Sequence, residues 1–223
     1  MIVLKHKKIG DTTYVSHIDC MRILQRAIRR TGVKVKYSSG FTPHMQVYST
    51  HPLPLGLQSV AEYLMVDIDD IGADDFLELY NRSVPTGLVG ISGIDLPQKP
   101  KLVASVNVIE YKVRVKGTLS KELETIPSDE DYYIEYMKKG EIERKNTYGS
   151  LFYVRVEGDE LVVGTGAGTN SIRPHEVIRK LCKQSHVDVC LNDIFRTCQY
   201  IKEGDNYLDA DSYLVQCKKG LRR

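Results

Sequence analysis

A Ser16-x-x-Asp19 pattern, followed by apolar residues at helical spacing and stopped by Gly32, fixes an amphipathic helix early in this chain, and its neighbours must fold around it. The helix is expected to start at about His17. At about 100° per residue, Cys20, Met21, Leu24, Ala27 and Ile28 share one side, while Arg22, Arg26, Arg29 and Arg30 gather on the other. No carboxylate lies three or four residues from Arg26, Arg29 or Arg30; only Asp19, near Arg22, is close. The outer stripe is therefore cationic where solvated helix faces usually mix signs.

Around this helix the periodicities run in a recognisable order. Ile2 to Ile9 reads as extended, as do Val33–Tyr37, Met45–Ser49 and Tyr63–Ile68; a helix from Asp74 to about Ser83 and an apolar stretch Leu88–Ile94 follow. With the two middle extended pieces merged, the order is β-α-β-β-α-β, that of a ferredoxin-like unit. Pro97 and Pro100 make Leu96–Lys101 a linker. Beyond it come a strand at Val106–Val115, two stretches at 120–126 and 128–138 that fit more than one state, and a hairpin of Leu151–Val156 with Glu160–Val163 across Gly158-Asp159. A helix from Pro174 to Lys183 and a strand at Asp193–Ile201 complete the series. The expected fold is α+β: two ferredoxin-like domains in tandem at 1–96 and 101–204, the second degenerate, with a basic C-terminal tail at 205–223.

With 42% hydrophobic and 27% charged residues over 223 positions, the chain has the composition of a globular protein with sizeable cores, which excludes a disordered class. The net charge of +2 is unevenly spread. Residues 1–50 carry nine Lys or Arg against two Asp, and residues 51–100 carry eight acidic residues against two basic ones, so the N-terminal half is a dipole. The five cysteines show neither the close CxxC pairing of a zinc site nor the three-cysteine motif of a radical SAM cluster. Their odd number, with no apolar signal run and no stretch of about 18 apolar residues, points to a reducing cytoplasm and no membrane span.

The loop Tyr37-Ser38-Ser39-Gly40-Phe41-Thr42-Pro43-His44 combines a permissive glycine, a stiffening proline, two aromatic rings and an imidazole. Tyr37 and Phe41 beside the arginine stripe are the residue types that hold single-stranded RNA, through stacking and phosphate contacts. His17 and His44 are candidate general acid or base groups, and a cleft shared by His17, Tyr37, His44 and Glu62, with Arg26 or Arg30 at its rim, is expected. His17, His44, His51 and Glu62 match no metal-ligand spacing, so neither metal nor cofactor is expected. Gly164-Thr-Gly-Ala-Gly168 lacks the spacing and lysine of a P-loop and reads first as a flexible turn, although Arg173 beside it suits a nucleic-acid backbone contact. Tyr132, Tyr133 and Tyr136, at helical spacing, read as packing residues.

Ser16, His17, Asp19, Arg22, Arg26, Arg29 and Arg30, then Tyr37, Ser38, Gly40, Phe41, Pro43 and His44, then Pro52, Leu53, Gly56 and Glu62 together resemble the pattern of the bacterial radical SAM-linked protein family. That family is a domain of unknown function beside or fused to cobalamin-binding radical SAM proteins. The second half resembles it more faintly, through Arg173-Pro174 and Glu176-Val177. The resemblance implies a cobalamin-binding radical SAM protein as partner and a role near RNA metabolism, without an established reaction. The resulting expectation is an accessory module that binds RNA, of the tRNA or rRNA class, and presents it to that partner. A metal-independent RNA-processing endonuclease and a protein-binding scaffold remain the alternatives, and whether the chain is itself an enzyme stays open.

Overall fold

A computed structural model describes residues 1–222; Arg223, the end of the expected basic tail, lies outside them. The chain forms two compact units: Met1–Ser105 together with the chain from Leu208 onward, and Val106–Tyr207. It is a mixed α+β protein.

The first unit runs β1 (Ile2–Lys8), α1 (His17–Arg30), β2 (Val47–Ser49), β3 (Gln58–Val66), α2 (Ala73–Ser83), β4 (Gly90–Asp95) and the single turn α3 (Leu102–Ser105). Its strands lie in the order β4-β1-β3-β2, each neighbouring pair antiparallel. Strand alternation sends Ile2 and Leu4 of β1, with Leu64 and Val66 of β3, into one core with Leu24 and Ile28 of α1 and Phe76 and Tyr80 of α2. Ser16 caps α1 by accepting from the Asp19 N–H at 3.2 Å, as the S-x-x-D pattern requires. The expected linker does not swing free: Leu96 and Pro100 are buried, and the Leu96 N–H donates to Met1 O.

The second unit runs β5 (Val108–Arg114), a 3-10 segment (Lys121–Ser128), β6 (Tyr133–Lys138), β7 (Glu141–Asn146), β8 (Leu151–Glu157), β9 (Glu160–Gly166), α4 (Pro174–Gln184) and β10 (Ile194–Glu203). Its main strands lie in the order β10-β5-β9-β8, again antiparallel, with β6 and β7 forming a separate two-stranded ribbon. Tyr133 and Tyr136 are thus strand residues, against the helical spacing read from the sequence: Arg144 lies over the Tyr133 ring at 4.0 Å and Arg173 over the Tyr136 ring at 3.9 Å.

The segment expected as a basic tail instead carries β11 (Asn206–Asp209) and α5 (Ala210–Lys218). Asp209 caps α5 through the Ser212 N–H, and Tyr213, Leu214 and Cys217 are buried. Asp211 ties the helix to the sheet face opposite α1 and α2, pairing with Lys5 at 2.6 Å and accepting from the Tyr63 hydroxyl at 2.9 Å. Three apolar side chains on one side of the helix outweigh the exposed Lys218 and Lys219 at its end. Among the described residues, no helix is long and apolar enough to cross a membrane.

Candidate functional site

The helix-covered face of β1 and β3 is apolar at Ile2, Leu4, Leu64 and Val66 but continues with His6, Lys8 and Glu62, all buried, where α1 begins. His6 lies opposite Glu62 in the ladder, and the register shifts between His6 and Lys8, a local irregularity of the kind that re-aims side chains next to functional sites. His6, Lys8 and Glu62, with His17, Cys20, Ser49 and Leu53, enclose a recess of about 20 Å³, room for about one water. The Lys8 ammonium donates to Val15 O at 2.9 Å. The His6 Nδ1 lies 2.9 Å from Lys7 O; a carbonyl only accepts, so Nδ1 carries the proton and Nε2 is left as an acceptor.

Burial holds the His6 imidazole below its usual range, against the opposing pull of Glu62, and desolvation beside the Lys8 cation does the same to His17. Burial pushes the Cys20 thiol up. A histidine whose folded-state pKa lies below its unfolded value of 6.5 takes up its proton first in the unfolded chain. Stability is then unaffected above about pH 6.5 and falls as pH drops from there toward the folded-state pKa, by up to about 1.4 kcal/mol per pH unit for one such group. His175, also lowered by burial, adds to the loss with the same sign. His6→Asn should make the decline in urea stability between pH 7 and pH 5 shallower by up to that amount per unit; equal slopes in the two proteins would refute the assignment.

His17 and Glu62 thus share a recess, as the sequence suggested. His6, Lys8 and Ser49, which it did not single out, complete it. The signal was present in Ile2-x-Leu4-x-His6-x-Lys8, where the period of two carries polar residues onto the buried face. Tyr37 and His44 do not line this recess. They flank a separate loop, in which the Ser38 N–H donates to His44 O at 2.8 Å and the His44 N–H donates to the Ser38 hydroxyl at 2.9 Å. Gly40 adopts a φ of +120°, open to glycine alone, and Phe41 at the tip is fully exposed. Pro43 is exposed, and Tyr37 pairs with Met45 while keeping 46% of its surface accessible. Gly56 is buried, its N–H donating to Thr13 O at 3.0 Å.

Along α1, the Ser16 hydroxyl and Arg22 hydrogen-bond the Asp19 carboxylate and hold it below the usual carboxylate range. Arg30 donates to Ser83 O, about 20 Å along the helix from His17, too far to rim the recess. Arg26 and Arg29 are exposed and, among the described residues, have no hydrogen-bond or ion-pair partner. In the second unit, Gly164 and Gly166 lie within β9 and are not part of a loop. A Cβ on Gly164 would sit 2.3 Å from the Tyr153 ring, so the glycine answers to packing. Among the described residues, no three His, Cys, Asp or Glu side chains gather as metal ligands.

Beside the recess, and sharing His17, Met21 and Ser49 with it, lies an open cleft of about 580 Å³ lined also by Val47, Tyr48, Lys99, Pro100, Lys101, Val103 and Ala104. The Lys99 Nζ stands over the Tyr48 ring, 3.1 Å from its centre.

Solved structures similar to the chain include a Cbf5–Nop10–Gar1 complex (12% identity, TM-score 0.43) and an archaeal box H/ACA sRNP Nop10–Cbf5 complex (11% identity, TM-score 0.41). Each match covers 98% of this chain and 56% of the other, so the chain spans about half the length of these relatives. No curated protein matches it. Residues 1–174, which include α1, the Phe41 loop and the His6–Glu62 recess, match the profile of a family described as an uncharacterized protein conserved in bacteria (DUF2344), and the chain belongs to that family.

Proposed function

We propose that this chain is an RNA-binding accessory module, acting in the cytoplasm, that presents tRNA or rRNA to a cobalamin-binding radical SAM protein. The observation that carries the reading is the pairing of Arg26 and Arg29, exposed and without a hydrogen-bond or ion-pair partner among the described residues, with a fully exposed Phe41 on a loop of the same unit. An exposed ring and free guanidinium groups suit a single strand, the ring stacking on a base and the cations meeting phosphates. Arg22, paired with Asp19, and Arg30, bonded to Ser83 O, extend the stripe, and Tyr37 flanks the loop. Arg173 is left out because its guanidinium already lies against Tyr136. The recurring strand order supports reading both units as ferredoxin-like, the second with a 3-10 segment and a ribbon in place of its first helix.

RNA affinity should fall steeply with salt, because each neutralised phosphate releases counterions. Arg26→Ala with Arg29→Ala should flatten the slope of log affinity against log salt by up to about two units, and Phe41→Ala should weaken binding with little change in slope. Filter-binding titrations at several salt concentrations separate these effects. Absence of RNA binding by the wild type at low salt, or an unchanged slope in the double variant, defeats the reading in favour of a protein scaffold.

A second reading, metal-independent RNA processing, is favoured by the lowered His17 pKa beside Ser49 and buried Lys8, since a neutral imidazole can accept a proton from a hydroxyl near pH 7. It requires RNA cleavage by the wild type that His17→Ala abolishes.

A further inference from the structure

We propose that the open cleft between the start of α1 and the chain at 99–104 binds one nucleotide unit, its base on Tyr48 and its phosphate on Lys99 and Lys101. The lining makes the case. Its charged and titratable side chains are His17, Tyr48, Lys99 and Lys101, with no carboxylate among them, so the cleft selects an anion. Met21, Val47, Pro100, Val103 and Ala104 form the apolar remainder, suited to a flat, weakly polar body.

The volume of about 580 Å³ falls within the usual range of small-molecule sites and admits a base, a sugar and a phosphate together. Tyr48 offers a ring face to the cleft, and the Lys99 ammonium occupies that face at 3.1 Å. A flexible lysine in that position can yield the ring to a base and turn its charge to the phosphate, keeping the cation paired throughout. His17 and Ser49 stand at the inner wall, the two polar side chains common to this cleft and the recess behind it. A bound sugar would meet them first.

The same chemistry has two sources, a free nucleoside 5′-monophosphate and a nucleotide of an RNA strand, and only the second rests on the RNA reading given above. Equilibrium binding of AMP, GMP, CMP, UMP, inorganic phosphate and an unstructured RNA oligonucleotide should be measured for the wild type, Tyr48→Ala, Lys99→Ala with Lys101→Ala, and Arg26→Ala with Arg29→Ala. At least one monophosphate should bind the wild type more tightly than phosphate alone. Tyr48→Ala should weaken that binding about 10-fold, in the range of stacking losses per base.

The lysine pair, exposed on the surface, should fold normally and also lose monophosphate affinity, which covers the case in which Tyr48→Ala does not fold. The arginine pair should leave monophosphate binding unchanged. RNA binding without any monophosphate binding, and without an effect of the lysine pair, overturns the cleft while leaving the RNA reading intact. Monophosphate binding lost in the lysine pair, with no RNA binding by the wild type, upholds the cleft and defeats the RNA reading. Binding of phosphate as tight as that of every monophosphate overturns the nucleotide assignment.

Discussion

Phe76→Ala should lower the free energy of unfolding by about 3–5 kcal/mol, the range for losing a buried phenyl ring together with the cavity it leaves. Phe76 is fully buried on α2, its ring 6.4 Å from that of Tyr80, in the core that also holds Leu4, Leu24, Ile28 and Leu64. Helices α1 and α2 and strands β1 and β3 therefore meet at this cluster. Backbone relaxation cannot close the gap without moving α1 as well, which places the expected cost toward the upper part of the range. Urea denaturation at neutral pH measures it through the midpoint, with the slope unchanged if only the native state is affected. A loss under about 1 kcal/mol would mean that α2 does not seat on this core.

Local chemistry made the first unit legible. The Ser16–Asp19 cap, the spacing of Leu24 and Ile28 and the alternation of Ile2 and Leu4 each depend on a few neighbouring residues, and each appears where the sequence put it. The ribbon in the second unit was hidden because its turn, Lys139-Gly140, has a positive φ at both residues but lacks the Asn or Asp that usually advertises such a turn. Tyr132, Tyr133 and Tyr136 fit a helix as well as a strand when read alone. At the candidate site, His17 and Glu62 were visible as chemistry, and His6 and Lys8 were visible in principle through the alternation of β1. Tyr48 with Lys99 was not, since their meeting depends on residues 99–104 packing back on the first unit, a tertiary event with no local signature.

The glycines near residue 164 read first as a flexible turn from sequence, and their packing leads to the second large effect. Tyr153 is the register partner of Gly164, and its ring covers the glycine so closely that an added Cβ would stand 2.3 Å from Cε1. The same ring delivers its hydroxyl to Glu110 at 3.1 Å, a buried carboxylate that also accepts from Arg155 at 2.8 Å and Thr197 at 2.8 Å. Burial and the Glu110 charge push the Tyr153 pKa up, so the hydroxyl stays protonated and donates. Gly164→Ala must displace the ring and break that bond, for an expected cost of about 1–3 kcal/mol, the range for overpacking a well-filled site. In a Tyr153→Ala background the ring that the methyl meets first is gone, so the same change should cost under about 0.5 kcal/mol, and the difference is the coupling between the two positions. A double-mutant cycle by urea denaturation reads it directly. Equal costs in the two backgrounds would show that Gly164 serves something other than the Tyr153 ring.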